Sequence, residues 1–235
     1  MEKPNILLFI PSFSWTVPIK LLHYVKQLPD NVHISFAKRT MIHKARNIAI
    51  KMCAENWFDY LVFLDDDMIP PNNMCEQLVS HWKDMVCWVY RLRQEWNPIA
   101  VHKAKINPET KMLVYETYDE IDKFTEVANA WTGCVAISKK VCKFMVENYE
   151  QAFEFKHVDY FETEKKSPHW STMVEFWVTN LFMNPIKPKE PAYFAHRTLW
   201  EDMIFFERAR FHWFKLYCDP TVKCQHIQQE FIIEP

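Results

Sequence analysis

Tyr60-Leu61-Val62-Phe63-Leu64-Asp65-Asp66-Asp67-Met68 is the stretch that decides how this chain folds. A short apolar run that stops at acids reads as a strand buried on both faces, the kind found inside a parallel sheet. Three adjacent carboxylates at its end repel one another, and unpaired they weaken the fold or take up protons. A divalent cation removes that conflict. In open α/β sheets, ligands sit beyond the carboxyl ends of the strands. Mg²⁺ and Mn²⁺ favour carboxylate and diphosphate oxygens. The plainer alternative is an acidic loop capping the next helix. It fits less well between an apolar strand and the Pro70-Pro71 break.

Elements alternate on both sides of this strand. Asn5 to Ile10 reads as a first buried strand ending at Pro11. Ile19 to Leu28 reads as a helix with Leu22, Val25 and Leu28 on one face. Val32 to Phe36 reads as a second strand. In the next helix Met41, Ala45, Ile48 and Met52, with Ile42, Ala49 and Cys53, share a face. Asn73 to Trp82 is a further expected helix, and Met85 to Tyr90 a strand. This alternation over residues 5–90 predicts a mostly parallel sheet with helices on both faces. The second half is less regular. Leu113 to Tyr118, Cys134 to Ser138 and Phe214 to Cys218 read as strands, and Lys139 to Tyr149 and Glu201 to Arg210 as helices. Residues 150–200, with Pro168, Pro185, Pro188 and Pro191, read as a long loop region, which in a compact domain is usually functional.

Composition narrows the function classes. The chain has 235 residues, 49% hydrophobic and 25% charged, as expected for one large globular domain. Its formal net charge of -2, without a basic tract, argues against a general nucleic-acid coat. The seven cysteines form no C-x-x-C pair, so a zinc ribbon is not expected, and they read as reduced thiols. The apolar run Ile6 to Ile10 is too short for a signal peptide. No stretch approaches ~18 apolar residues. The expectation is a cytoplasmic protein without a transmembrane segment. The single glycine, Gly133, means that other residues must fill positive-φ turns; Asn, Asp and His are expected there.

Four motifs, in order, carry a resemblance. They are Ala45-Arg46-Asn47 ahead of Leu64-Asp65-Asp66-Asp67, then Trp131-Thr132-Gly133-Cys134, then Trp200-Glu201-Asp202, then Asp219-Pro220 followed by His226. Together they resemble the nucleotide-sugar glycosyltransferases of GT-A fold with a D-x-D motif, family-2-like, of soluble bacterial, phage or viral type. The resemblance covers residues 5–90 and 131–227. It implies an α/β, Rossmann-like fold: a mostly parallel central sheet flanked by helices, with a small antiparallel acceptor-side part. One domain, 1–235, would divide into a nucleotide-binding half, 1–90, and an acceptor-binding half, 91–235.

The resemblance also implies roles. Asp65 lies near the ribose and, with Asp67, binds the metal, Mn²⁺ or Mg²⁺, and His226 completes the coordination. Asp66 holds the variable middle position. Pro11, Arg39, Arg46, Asn47, Trp131 and Gly133 line the donor pocket. Asp202 is the base that takes the acceptor's proton, and Glu201 orients the acceptor. Asp-Pro is expected to turn the chain before His226. Trp213 stands where relatives usually have glycine. Taken singly, these motifs also have plainer causes. Acids at a helix start are favoured by the macrodipole alone, and a lone histidine is more often structural.

The expected reaction moves a sugar from a nucleotide-sugar donor, UDP-linked by preference, to an acceptor hydroxyl with inversion. The acceptor is a glycan or, less favoured, a modified nucleobase of phage DNA. Trp170, Trp177, Tyr193 and Phe194 could stack on either. Two alternatives remain. A sugar nucleotidyltransferase would carry a glycine-rich phosphate loop, and Pro11 to Trp15 has no glycine. A non-catalytic sugar- or nucleic-acid-binding domain need not keep Asp65, Asp67 and Asp202. The sequence does not reveal the oligomeric state.

Overall fold

A computed structural model describes residues 3–12, 18–38, 42–89, 99–108, 113–149 and 201–226. The region 150–200, with its aromatics, and Arg39 lie outside the described residues, as does the Phe13 to Trp15 part of the loop after Pro11.

Seven strands form the main sheet: β1 (Ile6–Ser12), β2 (Val32–Lys38), β3 (Tyr60–Leu64), β5 (Met85–Val89), β8 (Thr125–Val127), β10 (Cys134–Ser138) and β11 (Leu216–Lys223). Their order is β2-β1-β3-β10-β5-β11-β8. β1 pairs in parallel with β2 and β3, and β11 with β5. β10 runs antiparallel between β3 and β5, and β8 antiparallel to β11. The sheet is thus mostly parallel. A smaller antiparallel sheet is built from β6 (Val101–Ile106), β7 (Leu113–Thr117) and β9 (Asn129–Ala130), in the order β7-β6-β9. Two short strands, β4 (Met68–Ile69) and β12 (Gln225–His226), pair antiparallel.

Five helices among the described residues cover the main sheet: α1 (Ile19–Val25), α2 (Ile42–Glu55), α3 (Met74–Ser80), α4 (Lys139–Tyr149) and α5 (Glu201–Phe211). Alternate residues of the central strands feed two cores. Leu7, Phe9, Leu61, Phe63, Val135 and Ile137 point to one face, where Ala45, Ala49, Val141 and Phe205 lie. Ile6, Leu8, Val62, Leu64 and Ala136 point to the other, toward Leu21, Tyr24 and Leu78. Both faces are covered, and for that reason β1 and β3 are apolar without alternation.

Several local expectations are corrected. In α1 the buried face is Leu21 and Tyr24, while Leu22 is half exposed. In α2, Ile42 and Ile48 face outward, and the buried set takes in Arg46 and Asn47 beside Ala45 and Ala49. A polar pair thus occupies part of a face that apolar periodicity assigned elsewhere. β1 runs on through Pro11 to Ser12. The Ile6 N–H bonds toward β2, so by alternation position 11 faces β3, whose pairing with β1 stops at Phe9–Phe63. No ladder bond is lost there, which is where a strand tolerates proline. β11 spans Leu216–Lys223, but its pairing with β5 shifts register between Asp219 and Lys223, where Asp219 Oδ1 accepts the Thr221 N–H at 2.9 Å. The expected Asp-Pro turn is thus a local Asx turn inside the strand and does not end it. Finally, the positive-φ positions among the described residues fall on Trp82 and Trp213, not on Asn, Asp or His, and Gly133 is not among them.

Candidate active site

The end of β3 is where the elements converge. Cys134 is registered opposite Leu64 because β10 runs antiparallel to β3. The turn before β10, Trp131 to Gly133, therefore lies beside Asp65. Had β10 been parallel, that turn would sit at the far edge of the sheet. The Asp65 N–H donates to the Gly133 carbonyl at 2.9 Å, and the Met68 N–H to the Asp65 carbonyl at 3.2 Å. Asp66 and Asp67 occupy the tight turn that leads into β4. β12 then sets His226 opposite Met68, the residue after the acidic run. The backbone of His226 is thus near the site; its side chain lies outside what is described.

α5 supplies the opposing carboxylate. Asp202, in the first turn, is 3% exposed. Its Oδ1 accepts a hydrogen bond from Arg46 Nη1, and its Oδ2 accepts the Thr132 N–H at 3.1 Å. Arg46 Nη2 also lies 3.4 Å from Asp65 Oδ1. One guanidinium from α2 therefore spans the acid at the end of β3 and the acid at the start of α5. Asn129 Nδ2 reaches the Met203 carbonyl at 3.3 Å and ties the same helical turn to β9. Glu201 opens α5; its side chain is not described.

Burial pushes the Asp65 carboxyl up to about 6; Arg46 pulls it down, and Asp67 and Asp202 push it up. Loss of water around the carboxylate is the main cause, and the neighbouring acids add to it. Asn47 is fully buried, and neither amide atom has a hydrogen-bond partner among the described residues. The Thr132 hydroxyl is in the same position. Buried polar atoms of that kind call for a partner.

The residues expected from sequence thus separate into groups. Arg46, Asp65, Asp202 and Gly133 are joined by direct bonds. Pro11 is buried at the end of β1, in register with Ala37 of β2. Trp131 flanks the turn, its backbone N–H donating to the Ala100 carbonyl at 3.0 Å. Thr132 was given no role by the sequence, although its N–H holds Asp202. The signal lay only in its place within a small-residue turn. No three His, Cys, Asp or Glu side chains among the described residues are grouped as a metal cage. Mg²⁺-type sites typically take one or two carboxylates and complete the shell with water and substrate phosphate. The hard oxygens of Asp65 and Asp67 fit that donor set.

The profile of glycosyl transferase family 2 matches residues 20–145, more than half of the chain. It takes in α2, the acidic run and the Trp131–Gly133 turn, and stops short of α5. Among solved structures, the chain is similar to A197 from STIV, at 18% identity over 96% of this chain and 87% of that one, with a TM-score of 0.56. That likeness concerns the fold. Weaker likenesses are to 4-diphosphocytidyl-2C-methyl-D-erythritol synthase from Anaerococcus prevotii (12% identity, 69% and 82% covered, TM-score 0.37) and mannose-1-phosphate geranyltransferase from Thermus thermophilus (7%, 63% and 62%, 0.40). No curated protein sequence matches this one.

Proposed function

Because this chain belongs to glycosyl transferase family 2, we propose that it transfers a sugar from a nucleotide-sugar donor, UDP-linked by preference, to an acceptor hydroxyl with inversion. The observation that carries the reading is the convergence of Asp65 and Asp202 on one buried guanidinium beside the Trp131–Gly133 turn. Donor-side and acceptor-side carboxylates thereby share one small site, as single displacement at an anomeric carbon requires.

Asp65 and Asp67 would hold Mn²⁺ or Mg²⁺, with His226 as a third ligand. The cation's chemistry there is to neutralise the charge that builds on the leaving diphosphate. The chain's own residues do the rest. Asp202 accepts the proton of the attacking hydroxyl. The Arg46 and Thr132 bonds fix its direction and leave a lone pair on each oxygen. Glu201 orients the acceptor. Pro11, Arg39, Asn47 and Asp66 border the nucleotide, and Trp131 and Gly133 the donor sugar. The acceptor is a glycan or, less favoured, a modified nucleobase. The chain acts as one domain in the cytoplasm, with the donor held by residues 1–90 and the acceptor by 91–235. No helix among the described residues is long and apolar enough to cross a membrane.

The test is a nucleotide-release screen with purified protein, Mn²⁺ and a panel of nucleotide sugars. Release from one donor, abolished by chelator and by Asp67→Ala with the fold intact, is the expected result. Full activity of Asp67→Ala, or activity in excess chelator, would remove the metal from the mechanism. Silence toward every donor would sink the transferase reading.

A further inference from the structure

Arg46 is held between two carboxylates that lie far apart in the chain. The Arg46 side chain is 3% exposed, with Nη1 on Asp202 and Nη2 3.4 Å from Asp65. α2 is fixed by the buried Ala45, Ala49 and Cys53 packed against the sheet, so the backbone of Arg46 has little freedom to withdraw. Arginine suits this place because its planar fork can serve two carboxylates at once, which a lysine ammonium does less well.

We propose that Arg46 is a positioning residue that couples the donor end of the site to the acceptor end. It is the built-in cation that holds Asp65 and Asp202 together, and a cation arriving at Asp65 must compete with it. With Asp202 intact, the guanidinium keeps a partner when Asp65 turns to the incoming ion. With Asp202 neutralised, Arg46 loses one of these two carboxylates and competes harder for Asp65. Asp202, which is no ligand, therefore controls cation affinity through Arg46. The coupling of two carboxylates by Arg46 stands on geometry; its meaning for catalysis rests on the glycosyl-transfer reading.

Two measurements test this. The first needs no metal. In excess chelator, urea unfolding of Asp65→Asn, Asp202→Asn and the double variant is compared in the Arg46 and Arg46→Met backgrounds. A shared guanidinium predicts a double variant that loses more than the sum of the singles, because each single variant still leaves one of the two carboxylates on the buried cation and the double variant removes both. In Arg46→Met the two changes should add. Additivity with Arg46 present overturns the proposal. The second measurement is calorimetric titration with Mn²⁺ alone. Asp202→Asn should weaken binding about fivefold or more, within the usual range of coupling between sites, and Arg46→Met should abolish that sensitivity. A direct charge effect of Asp202 would persist in Arg46→Met, and that result overturns the coupling. Should Arg46→Met fail to fold, Arg46→Lys replaces it in both measurements; full coupling through lysine would also count against the fork. A wild type that binds no Mn²⁺ would defeat the metal reading, while the unfolding comparison would still decide Arg46.

Discussion

Burial sets the ionisation of Asp65 first, and its carboxyl, raised from 3.8 to about 6, holds its proton more tightly in the folded chain than in the unfolded one. A raised pKa gives stability that is present below about pH 3.8 and lost as pH rises through about 6. In chelator the protein should therefore be less stable near neutrality than near ~pH 5 by about 1 kcal/mol, since roughly one pK unit of the shift, at ~1.4 kcal/mol each, is lost across that window. Urea unfolding across that window checks it, and Asp65→Asn should flatten the dependence. Asp202 offers a second prediction at this scale. Asp202→Asn keeps the shape, and its amide oxygen can still accept the Thr132 N–H. At saturating donor and cation, transfer should fall by ~10²–10⁴-fold, the usual worth of a general base. A helix-start role alone predicts nearly normal activity, since Asn also serves well there. The product's anomeric configuration, read by NMR, separates inversion from retention.

At the scale of elements, helix ends show what one glycine in 235 residues imposes. α5 closes with the Trp213 N–H on the Arg210 carbonyl (2.9 Å) and the Phe214 N–H on the Ala209 carbonyl (3.1 Å). This is the Schellman arrangement, in which the residue past the helix takes a positive φ. Trp213 does so at φ 68 and is 90% exposed. The left-handed backbone costs an ordinary L-residue ~1–2 kcal/mol, and so exposed a ring returns little by burial. Trp213→Gly should stabilise the protein by about 0.5–1 kcal/mol, once the extra freedom of unfolded glycine is subtracted. A thermal melt checks it, and a lower midpoint would mean the ring has a partner of its own. Trp82 ends α3 in a similar way, at φ 52. Its ring lines a cavity with Lys3, Ile6 and Val79, so the same substitution there should gain less.

The whole molecule assembles its site from distant segments: α2, the end of β3, the turn before β10 and the first turn of α5. A ligand that bridges them should stabilise the entire fold. At ~100 times its dissociation constant, a nucleoside diphosphate with Mn²⁺ should add about 2.7 kcal/mol. For a chain of this size that raises the melting midpoint by roughly 5–10 °C. Asp67→Ala should erase the shift. Differential scanning fluorimetry across the nucleoside diphosphates would also identify the base, and the absence of a shift with any of them would count against a nucleotide donor.

The order of strands and helices over residues 5–90, the acidic run after β3, the Trp131–Gly133 turn and the acids opening α5 were all legible in the sequence. Each is written in local terms: an apolar run, a break, a helix start. Direction and partnership are not local. A strand's composition does not say which way it runs, so the reversal of β10, which carries Gly133 to Asp65, came only from the folded sheet. Periodicity put Ile48 on the buried face of α2, because hydrophobicity cannot foresee a buried charge whose cost is met by carboxylates elsewhere in the chain. The sequence supplied Arg46, Asp65 and Asp202 as three separate residues; tertiary structure joined them, because Coulomb attraction depends on distance in space and not on distance along the chain.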